Sequence, residues 1–148
     1  MNETAAFSVH TVQWPARAAE LQAIRRAVFV VEQHVPEEQE WDDFDAVSRH
    51  VLALADGVPL VPIGTGRLLP DGHIGRMAVL KSWRGRGVGR ALLVALLKLA
   101  RQSQFEEAVL HAQIHAIKFY EKQGFTAYGP EFMEAGIAHR VMRLMLKD

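Results

Sequence analysis

The sequence predicts a single α/β domain with a mixed central sheet of about six to seven strands flanked by helices. Three observations predict it. The chain has 148 residues, which is the size of one domain with one core. Segments in which apolar residues alternate are interspersed with segments in which they recur at helical spacing. A glycine-rich loop lies between a predicted strand and a predicted helix near the middle of the chain. We expect residues 1–148 to form one domain in the order β-α-β-β-β-α-β-α-β-β.

The first three predicted segments are a strand, a helix and a loop. Residues 7–14 alternate well enough for a strand. Residues 15–33 predict a helix, because Pro15 suits a first-turn position and apolar residues recur at helical spacing. These apolar residues are Leu21, Ile24, Val28 and Val31. Residues 34–49 are acidic and lack a sustained period, which indicates a loop with room for a short helical turn.

Three strands follow the acidic loop. Residues 50–57 and 58–69 predict two strands about an Asp-Gly turn, and residues 73–80 predict the next strand after a second turn. Pro59 and Pro62 indicate an irregular start or a bulge in the second of these strands, because proline cannot donate a hydrogen bond to the ladder.

The second half of the chain predicts two helices and three strands. The helix after the glycine-rich loop carries its apolar residues on one face, namely Val88, Ala91, Leu92, Ala95, Leu96 and Leu99. The segments after it are a strand over 108–113, a helix over 115–123, a strand over 125–129, a loop over 130–138 and a strand over 139–147. Gly124 stands where a glycine typically ends a helix.

The composition excludes several classes of site and partner. There are no cysteines, which excludes disulfides, thiolate zinc sites and a cysteine nucleophile, and makes the cytoplasm the default compartment. The longest apolar block, residues 91–97, is too short to span a membrane, and the N-terminus resembles no export signal. The formal net charge is zero, and Trp83 is the only aromatic residue in the basic cluster of residues 81–90, which disfavours nucleic acid. We therefore expect a small partner, and neither a membrane nor a nucleic acid.

Residues 81–90, KSWRGRGVGR, combine three glycines with four basic residues directly ahead of a helix. Such loops usually bind phosphate, because free backbone N–H groups and the positive end of the helix dipole face the anion. A Walker A loop requires G-x-x-x-x-G-K-[ST], which is absent. A dinucleotide fingerprint also fails, because Arg90 and Leu92 stand where its third small residue belongs. A solvated basic turn is the alternative to an anion site.

Two motifs in the chain resemble those of the GCN5-related N-acetyltransferases, the GNAT family. Arg84-x-x-Gly87-x-Gly89 resembles the family's acyl-CoA signature R/Q-x-x-G-x-G/A. Residues 110–125, LHAQIHAIKFYEKQGF, resemble the family's strand-helix unit, although Gln113 stands where many members have asparagine. The element order also matches over nearly the whole chain. Residues 110–113 and 131–146 look most like the bacterial subgroup that includes the ElaA- and YjcF-type acetyltransferases.

The resemblance implies the GNAT fold, acetyl-CoA as co-substrate, and acetyl transfer to a primary amine of an unidentified small molecule or peptide. By this resemblance, the amides of residues 85–90 hold the pyrophosphate, and Lys81 and the arginines of the loop bind the 3′-phosphate. Backbone groups of Met77 and Val79 bond the pantetheine amides or the acetyl oxygen. The implied cofactor-binding residues are Met77, Ala78, Val79, Arg84, Gly85, Arg86, Gly87, Val88, Gly89, Arg90, Ala116, Phe119, Tyr120 and Lys122.

Acetyl transfer requires an acid or hydrogen-bond donor for the thiolate and a base for the amine. Because the chain lacks cysteine, we expect direct attack in a ternary complex rather than a covalent acyl-enzyme. Tyr120 matches the family's tyrosine beside the CoA sulfur and is expected to donate to the thiolate. The alternative is that Tyr120 only packs with Phe119 against the sheet.

The general base is expected among four residues: His139, His111, Glu134 and Glu32. His139 is placed first, because it opens the final strand across the expected acceptor cleft and histidine titrates near neutrality. His111 lies two residues from Gln113, on the same face of their strand. Either histidine has an alternative role as a hydrogen-bonded structural residue. No metal is expected, because His111 lies on a strand and His115 on a helix, and no H-E-x-x-H pattern is present.

Two features bear on the acceptor and on assembly. The acidic loop EEQEWDDFD, residues 37–45, would favour a cationic amine, or would simply be a solvated charged loop. The apolar segment VMRLML, residues 141–146, is a candidate homodimer contact through a strand edge or sheet face. A non-catalytic CoA-binding sensor or interaction module of the same fold is the alternative to an enzyme.

Overall fold

The computed structural model describes residues 6–147. Seven strands form one sheet: β1 (Phe7–Val12), β2 (Arg49–Ala55), β3 (Val61–Leu68), β4 (His73–Val79), β5 (Glu107–Gln113), β6 (Thr126–Glu134) and β7 (Ile137–Met145). The α-helices are α1 (Trp14–Arg25), α2 (Glu37–Glu40), α3 (Val88–Gln102) and α4 (Ile117–Glu121). A π-helix covers Arg26–Glu32, and 3₁₀ turns cover Asp45–Val47, Lys81–Trp83 and Ile114–Ala116. The predicted α/β class and mixed sheet are confirmed.

The sheet consists of two antiparallel parts joined by one parallel pair of strands. Its spatial order is β1-β2-β3-β4-β5-β7-β6. Only β4 and β5 are parallel, and their register has just two pairs, His73 with Val109 and Ile74 with Leu110. Beyond these pairs the two strands diverge and leave a gap at their carboxyl ends. β7 lies between β5 and β6, so residues 141–146 have no free strand edge for a dimer contact.

Helices cover both faces of the sheet and bury two separate clusters. On one face, α3 buries the residues of its predicted apolar stripe, including Leu92 and Leu96, against β2, β3 and β4. Gly66 allows this close contact, because a Cβ there would lie 2.7 Å from Leu96 Cδ1. On the other face, Leu21 and Ile24 of α1 pack with apolar residues of β2 and β4. Within residues 6–147, no helix is long and apolar enough to cross a bilayer.

Two predicted segments differ from the structure. The helix predicted over 15–33 is α-helical only to Arg25 and continues as the π-helix, with Gln33 N–H bonded to the Val28 carbonyl at 3.0 Å. The loop predicted over 130–138 is wrong for its first five residues, which continue β6 to Glu134, and for its last two, which begin β7 at Ile137. A bulge explains this, because Tyr128 pairs with Val141 and the next registered pair is Phe132 with His139. Gly129 and Pro130 indicated a break, but they are accommodated as extra residues.

The irregularity predicted from the prolines of β3 is confirmed. Ala53 pairs with Gly64 and Leu54 with Pro62, so Ile63 is an extra residue in β3. Gly124 follows α4 with φ of +99°, a conformation that glycine adopts without steric cost, as predicted.

Candidate active site

A bulge in β4 opens the edge of this strand beside the gap. Thr65 pairs with Ala78, but the next registered pair is Arg67 with Gly75, so β4 contains one extra residue. Arg76 in this bulge has φ of +49°, in the left-handed region that non-glycine residues rarely adopt. The parallel pairing with β5 ends just before the bulge. Beyond it, β4 still pairs with β3, but its edge toward β5 has no registered strand partner and can bond a ligand.

The glycine-rich loop turns directly from β4 into the N-terminus of α3. Gly85 and Gly87 have φ of +77° and +85°, which is why glycine is required at both positions. Gly87 is the N-cap, and its carbonyl accepts the first helical bond, from Ala91 N–H at 3.0 Å. The N–H groups of residues 88–90 therefore have no helical carbonyl to bond and point outward at the positive end of the dipole. This arrangement fits a phosphate group.

The basic side chains of the loop make different contacts: some are bonded to the protein and others are exposed to solvent. Arg84 donates two hydrogen bonds of 2.6 Å to the Glu32 carboxylate and one of 3.0 Å from Nε to the Val79 carbonyl. The Arg84 side chain is thus tied to the π-helix and to β4. Arg86 stacks over the Trp83 ring at 4.7 Å. The remaining predicted cationic contacts, Lys81, Arg90 and Lys122, are exposed.

Glu32, one of the four base candidates, is held as a carboxylate. The hydrogen bonds from Arg84 lower its pKa, and the positive charge of Arg84 adds to this effect. A carboxylate already occupied by a bidentate arginine is a weak proton acceptor for an amine.

Tyr120 lies on α4 with its hydroxyl directed at the β4 bulge. The hydroxyl donates to Met77 Sδ at 3.7 Å. The ring makes edge contacts with Phe119 and Phe125, at centroid distances of 5.0 and 5.9 Å. Burial raises the pKa of the Tyr120 hydroxyl to about 12, so the group is protonated at neutral pH. Phe119 lies beside the loop, 3.5 Å from the position of a Cβ on Gly89.

Three of the four base candidates lie together on β5, β6 and β7. His111 Nδ1 lies 2.9 Å from Glu134 Oε1, and His139 Nε2 lies 3.9 Å from the other carboxylate oxygen. The Phe132 ring contacts both imidazoles, edge-on to His111 and stacked on His139. The side chain of His111 is 37% exposed, whereas that of His139 is 8% exposed.

Hydrogen bonds fix which nitrogen of each imidazole carries the proton. Nδ1 of His139 lies 2.7 Å from the Ile137 carbonyl, which can only accept, so Nδ1 is the donor. Nδ1 of His111 faces the Glu134 carboxylate and donates in the same way. Each neutral ring therefore presents Nε2 as a proton acceptor. A histidine oriented through Nδ1 by a carboxylate is an arrangement suited to base catalysis.

Gln113 and His115 connect the end of β5 to the π-helix. Gln113 Nε2 donates to Gln33 Oε1 at 3.0 Å, and His115 Nε2 lies 2.7 Å from Gln113 Oε1. His115 and His111 therefore have different partners. In the part of the chain that the structure describes, no cluster of three or more histidine, aspartate or glutamate side chains has the geometry to hold a metal ion.

Half of the carboxylates of the acidic loop are bonded to arginines inside the protein. Glu40, Asp42 and Asp45 pair with arginines that project from α1, β3 and β4, namely Arg25, Arg67 and Arg76. Glu37 pairs with Arg26 at the surface. These three carboxylates are therefore not available to a cationic acceptor, whereas Glu38 and Asp43 of the same loop are exposed to solvent. This network is not among the features predicted from the sequence, although an arginine within the buried strand β3 was an available signal.

Comparisons with known proteins agree with this fold and show the family to which the chain belongs. Residues 15–146 match the family model of the Acetyltransferase (GNAT) domain. The uncharacterised N-acetyltransferase YjcF of Bacillus subtilis is 40% identical over 123 residues, which cover 80% of this chain and 86% of that protein. The crystal structure of Escherichia coli ElaA matches with a TM-score of 0.81 and 27% identity, over 93% of this chain and 99% of that chain. An acyl-CoA N-acyltransferase from Pseudomonas aeruginosa matches with a TM-score of 0.76 and 31% identity, over 93% of this chain and 97% of that chain.

Proposed function

Because the chain belongs to the GNAT acetyltransferase family and is an N-acetyltransferase, we propose that it transfers the acetyl group of acetyl-CoA to a primary amine of a small molecule or peptide. One observation carries the proposal. The bulged edge of β4 opens between the α3 N-terminus with Tyr120 on one side and the His111–Glu134 pair, near the end of β5, on the other. These are the groups that an acyl donor and an amine acceptor require, at one gap in the sheet.

Acetyl-CoA supplies a thioester-activated acetyl group. The N–H groups of residues 85–90 would hold its pyrophosphate, because those of the first helical turn lack helical partners. Exposed cations on and near the loop, such as Lys81, Arg86 and Arg90, would screen the phosphates. Backbone groups of Met77 and Val79 would bond the pantetheine arm along the open strand edge. The Arg84 side chain would act indirectly, by holding the loop against the π-helix.

His111 is our proposed general base, ahead of His139. Its Nδ1 is held by Glu134, and its Nε2 belongs to a side chain exposed enough to meet an acceptor amine. His139 is nearly inaccessible and stacks under Phe132, which suits a supporting role beside Glu134. The attacking amine, bound in its neutral form, would pass a proton to His111 Nε2 as it adds to the carbonyl, and Glu134 would stabilise the resulting imidazolium.

Tyr120 is the proposed hydrogen-bond donor to the departing thiolate. With a pKa of about 12, its hydroxyl is a much weaker acid than a thiol, whose pKa is about 8.5 in cysteine. Complete proton transfer from Tyr120 to the thiolate is therefore uphill. A strong hydrogen bond to the developing negative charge still lowers the barrier.

The acceptor amine would attack the thioester carbonyl directly. A nitrogen–carbon bond forms, the carbon–sulfur bond breaks, the electron pair leaves on sulfur, and the amine proton leaves to His111. No acyl-enzyme is required, and the chain has no cysteine to form one.

The test is release of free CoA thiol from acetyl-CoA over a broad panel of primary amines. Wild type should turn over at least one class of amine, and His111→Gln and Glu134→Gln should each lower kcat/KM by about 10²-fold or more. His10→Gln is the matched control, because His10 is an exposed strand histidine at the opposite edge of the sheet. Tight acetyl-CoA binding without turnover of any amine would instead favour the sensor or interaction module. Normal activity in both site variants would exclude His111 as the base.

A further inference from the structure

The β4 bulge shifts the alternation of side chains along β4, so that residues before and after it no longer follow one regular pattern of faces. Ile74 and Ala78 are four residues apart, a spacing that places two side chains on the same face of a regular strand. In this structure Ile74 packs in the α3 cluster and Ala78 in the α1 cluster, on opposite faces. Met77 and Val79 pack on the α3 side as a result. The extra residue thus directs Met77 toward Tyr120.

Arg76 occupies the strained position of this bulge. A φ of +49° brings the Cβ of any residue that has one close to the following carbonyl oxygen, which is unfavourable. A regular register continued from the Arg67–Gly75 pair would pair Arg76 with Gly66 and Met77 with Thr65, and would move Met77 to the other face, because a one-residue shift exchanges the two faces of a strand. Something must therefore hold Arg76 in its left-handed conformation.

The carboxylates at the start of the acidic loop supply that anchor. Arg76 Nε lies 3.0 Å from Glu40 Oε2, and Arg76 Nη2 lies 3.0 Å from the Glu40 carbonyl and 3.3 Å from Asp42 Oδ2. Glu40 and Asp42 are fixed in turn by Arg25 and Arg67, at 2.8 and 2.9 Å. All of these arginines come from elements that cannot move independently of the core. The anchor is therefore rigid.

We propose that Arg76 is a positioning residue. By binding Glu40 and Asp42 it keeps β4 bulged, and so holds the Met77 and Val79 edge in the conformation that binds acetyl-CoA. The inference rests on the proposed function for its consequence in catalysis. Arg76 itself touches neither reactant. Arg76 contributes by setting the shape of β4. Through Arg76, the acidic loop affects the part of β4 that binds acetyl-CoA.

Substitution by glycine and by alanine separates this role from the others. Both changes remove the guanidinium, but only glycine adopts the left-handed conformation without strain. We expect Arg76→Ala to weaken acetyl-CoA binding by about tenfold, and Arg76→Gly to bind several-fold more tightly than Arg76→Ala. The readout is calorimetric titration with acetyl-CoA, without an acceptor. Arg26→Ala is the control, because Arg26 pairs with Glu37 of the same loop without an ion pair to β4.

Turnover measured on the same proteins separates the two proposals. Kinetically, the KM for acetyl-CoA should rise more in Arg76→Ala than in Arg76→Gly. Wild-type protein that binds acetyl-CoA but acetylates no amine would refute the proposed function, and the glycine–alanine comparison would still decide the role of Arg76. Equal losses in the two variants would overturn the inference, because they would mean that the guanidinium itself is needed. Unchanged binding in both would overturn it too.

Asp42→Asn keeps the test decisive if Arg76→Ala does not fold. Asp42 is partly exposed, and its replacement by an isosteric amide removes charge from one of the two anchors of Arg76 while the buried Glu40 remains. We expect acetyl-CoA binding to weaken about two- to fivefold in this variant. Wild-type affinity in folded Asp42→Asn would overturn the inference.

Discussion

Replacing Tyr120 by phenylalanine tests the proposed thiolate donor with little disturbance of the fold. The hydroxyl's hydrogen bond to Met77 Sδ, 3.7 Å long, is a weak one. The ring contacts with Phe119 and Phe125 do not involve the hydroxyl and remain in the variant. We therefore expect the free energy of unfolding to change by less than about 1 kcal/mol, which corresponds to about 2–4 °C in Tm for a chain of this size.

The effect on turnover should be much larger than the effect on stability. A hydrogen bond to a charged group contributes about 1.5–3 kcal/mol, so its loss should lower kcat by about 10–100-fold. The KM for acetyl-CoA should change little, because the charge on sulfur develops only as the bond breaks. Since burial raises the pKa of Tyr120 to about 12, ionisation of this group should cause no loss of activity below about pH 10.

The assay can follow the released thiol directly, because the protein has no cysteine to react with a thiol reagent. Tyr128→Phe is the control, since Tyr128 is the only other tyrosine and stacks with Arg143 at 4.0 Å. A kcat for Tyr120→Phe within twofold of wild type would refute the assignment. A large drop in Tm would show instead that the hydroxyl supports the fold.

Three further changes have defined expected outcomes. Gly87→Ala forces alanine to φ of +85°, at a cost of about 1–2 kcal/mol, and should weaken acetyl-CoA binding about 5–30-fold in calorimetry; an unchanged affinity would mean that the loop amides do not contact the phosphates. Glu32→Gln breaks an exposed ion pair with Arg84 and should raise the KM for acetyl-CoA by less than about fivefold. His50 is buried, and burial lowers its pKa, so the unfolded chain takes up a proton first as the pH falls below about 6.5. Wild type should therefore lose stability between pH 7 and 5.5 in urea unfolding, and His50→Gln should lose less; parallel losses would exclude His50 as the cause.

Local sequence patterns were sufficient for most elements of the fold. The apolar stripe of α3 predicted a helix because its leucines occupy one face, and that face is the one buried. The glycine-rich loop was predictable because Gly85 and Gly87 are needed for backbone conformations that other residues avoid. The continuation of β6 was not predictable, because Gly129 and Pro130 are chemically the same in a turn and in a bulge. The partner strand decides between these two outcomes.

The site depends on contacts between residues far apart in sequence. His111 and Glu134 are both candidate bases, but they are 23 residues apart in the sequence. They meet because β5 and β6 both pair with β7, which places their side chains near each other across it. The acidic loop was judged by its composition alone. Three of its six carboxylates are bonded to Arg25, Arg67 and Arg76, up to 36 residues away in the sequence, so composition could not reveal whether they face the acceptor.

The short parallel pairing between β4 and β5, two residue pairs long, links binding of the acyl donor to the stability of the fold. It divides the sheet into an amino-terminal half and a carboxyl-terminal half that share few backbone hydrogen bonds. A donor bound in the gap, as proposed, would contact β4 and the α3 N-terminus in one half and α4 in the other, and would act as a clasp. A ligand present at 100 times its dissociation constant adds about 2.7 kcal/mol to the free energy of unfolding. Scarcity of the acyl donor would then do more than slow turnover, because a larger fraction of the molecules would be unfolded and open to proteolysis.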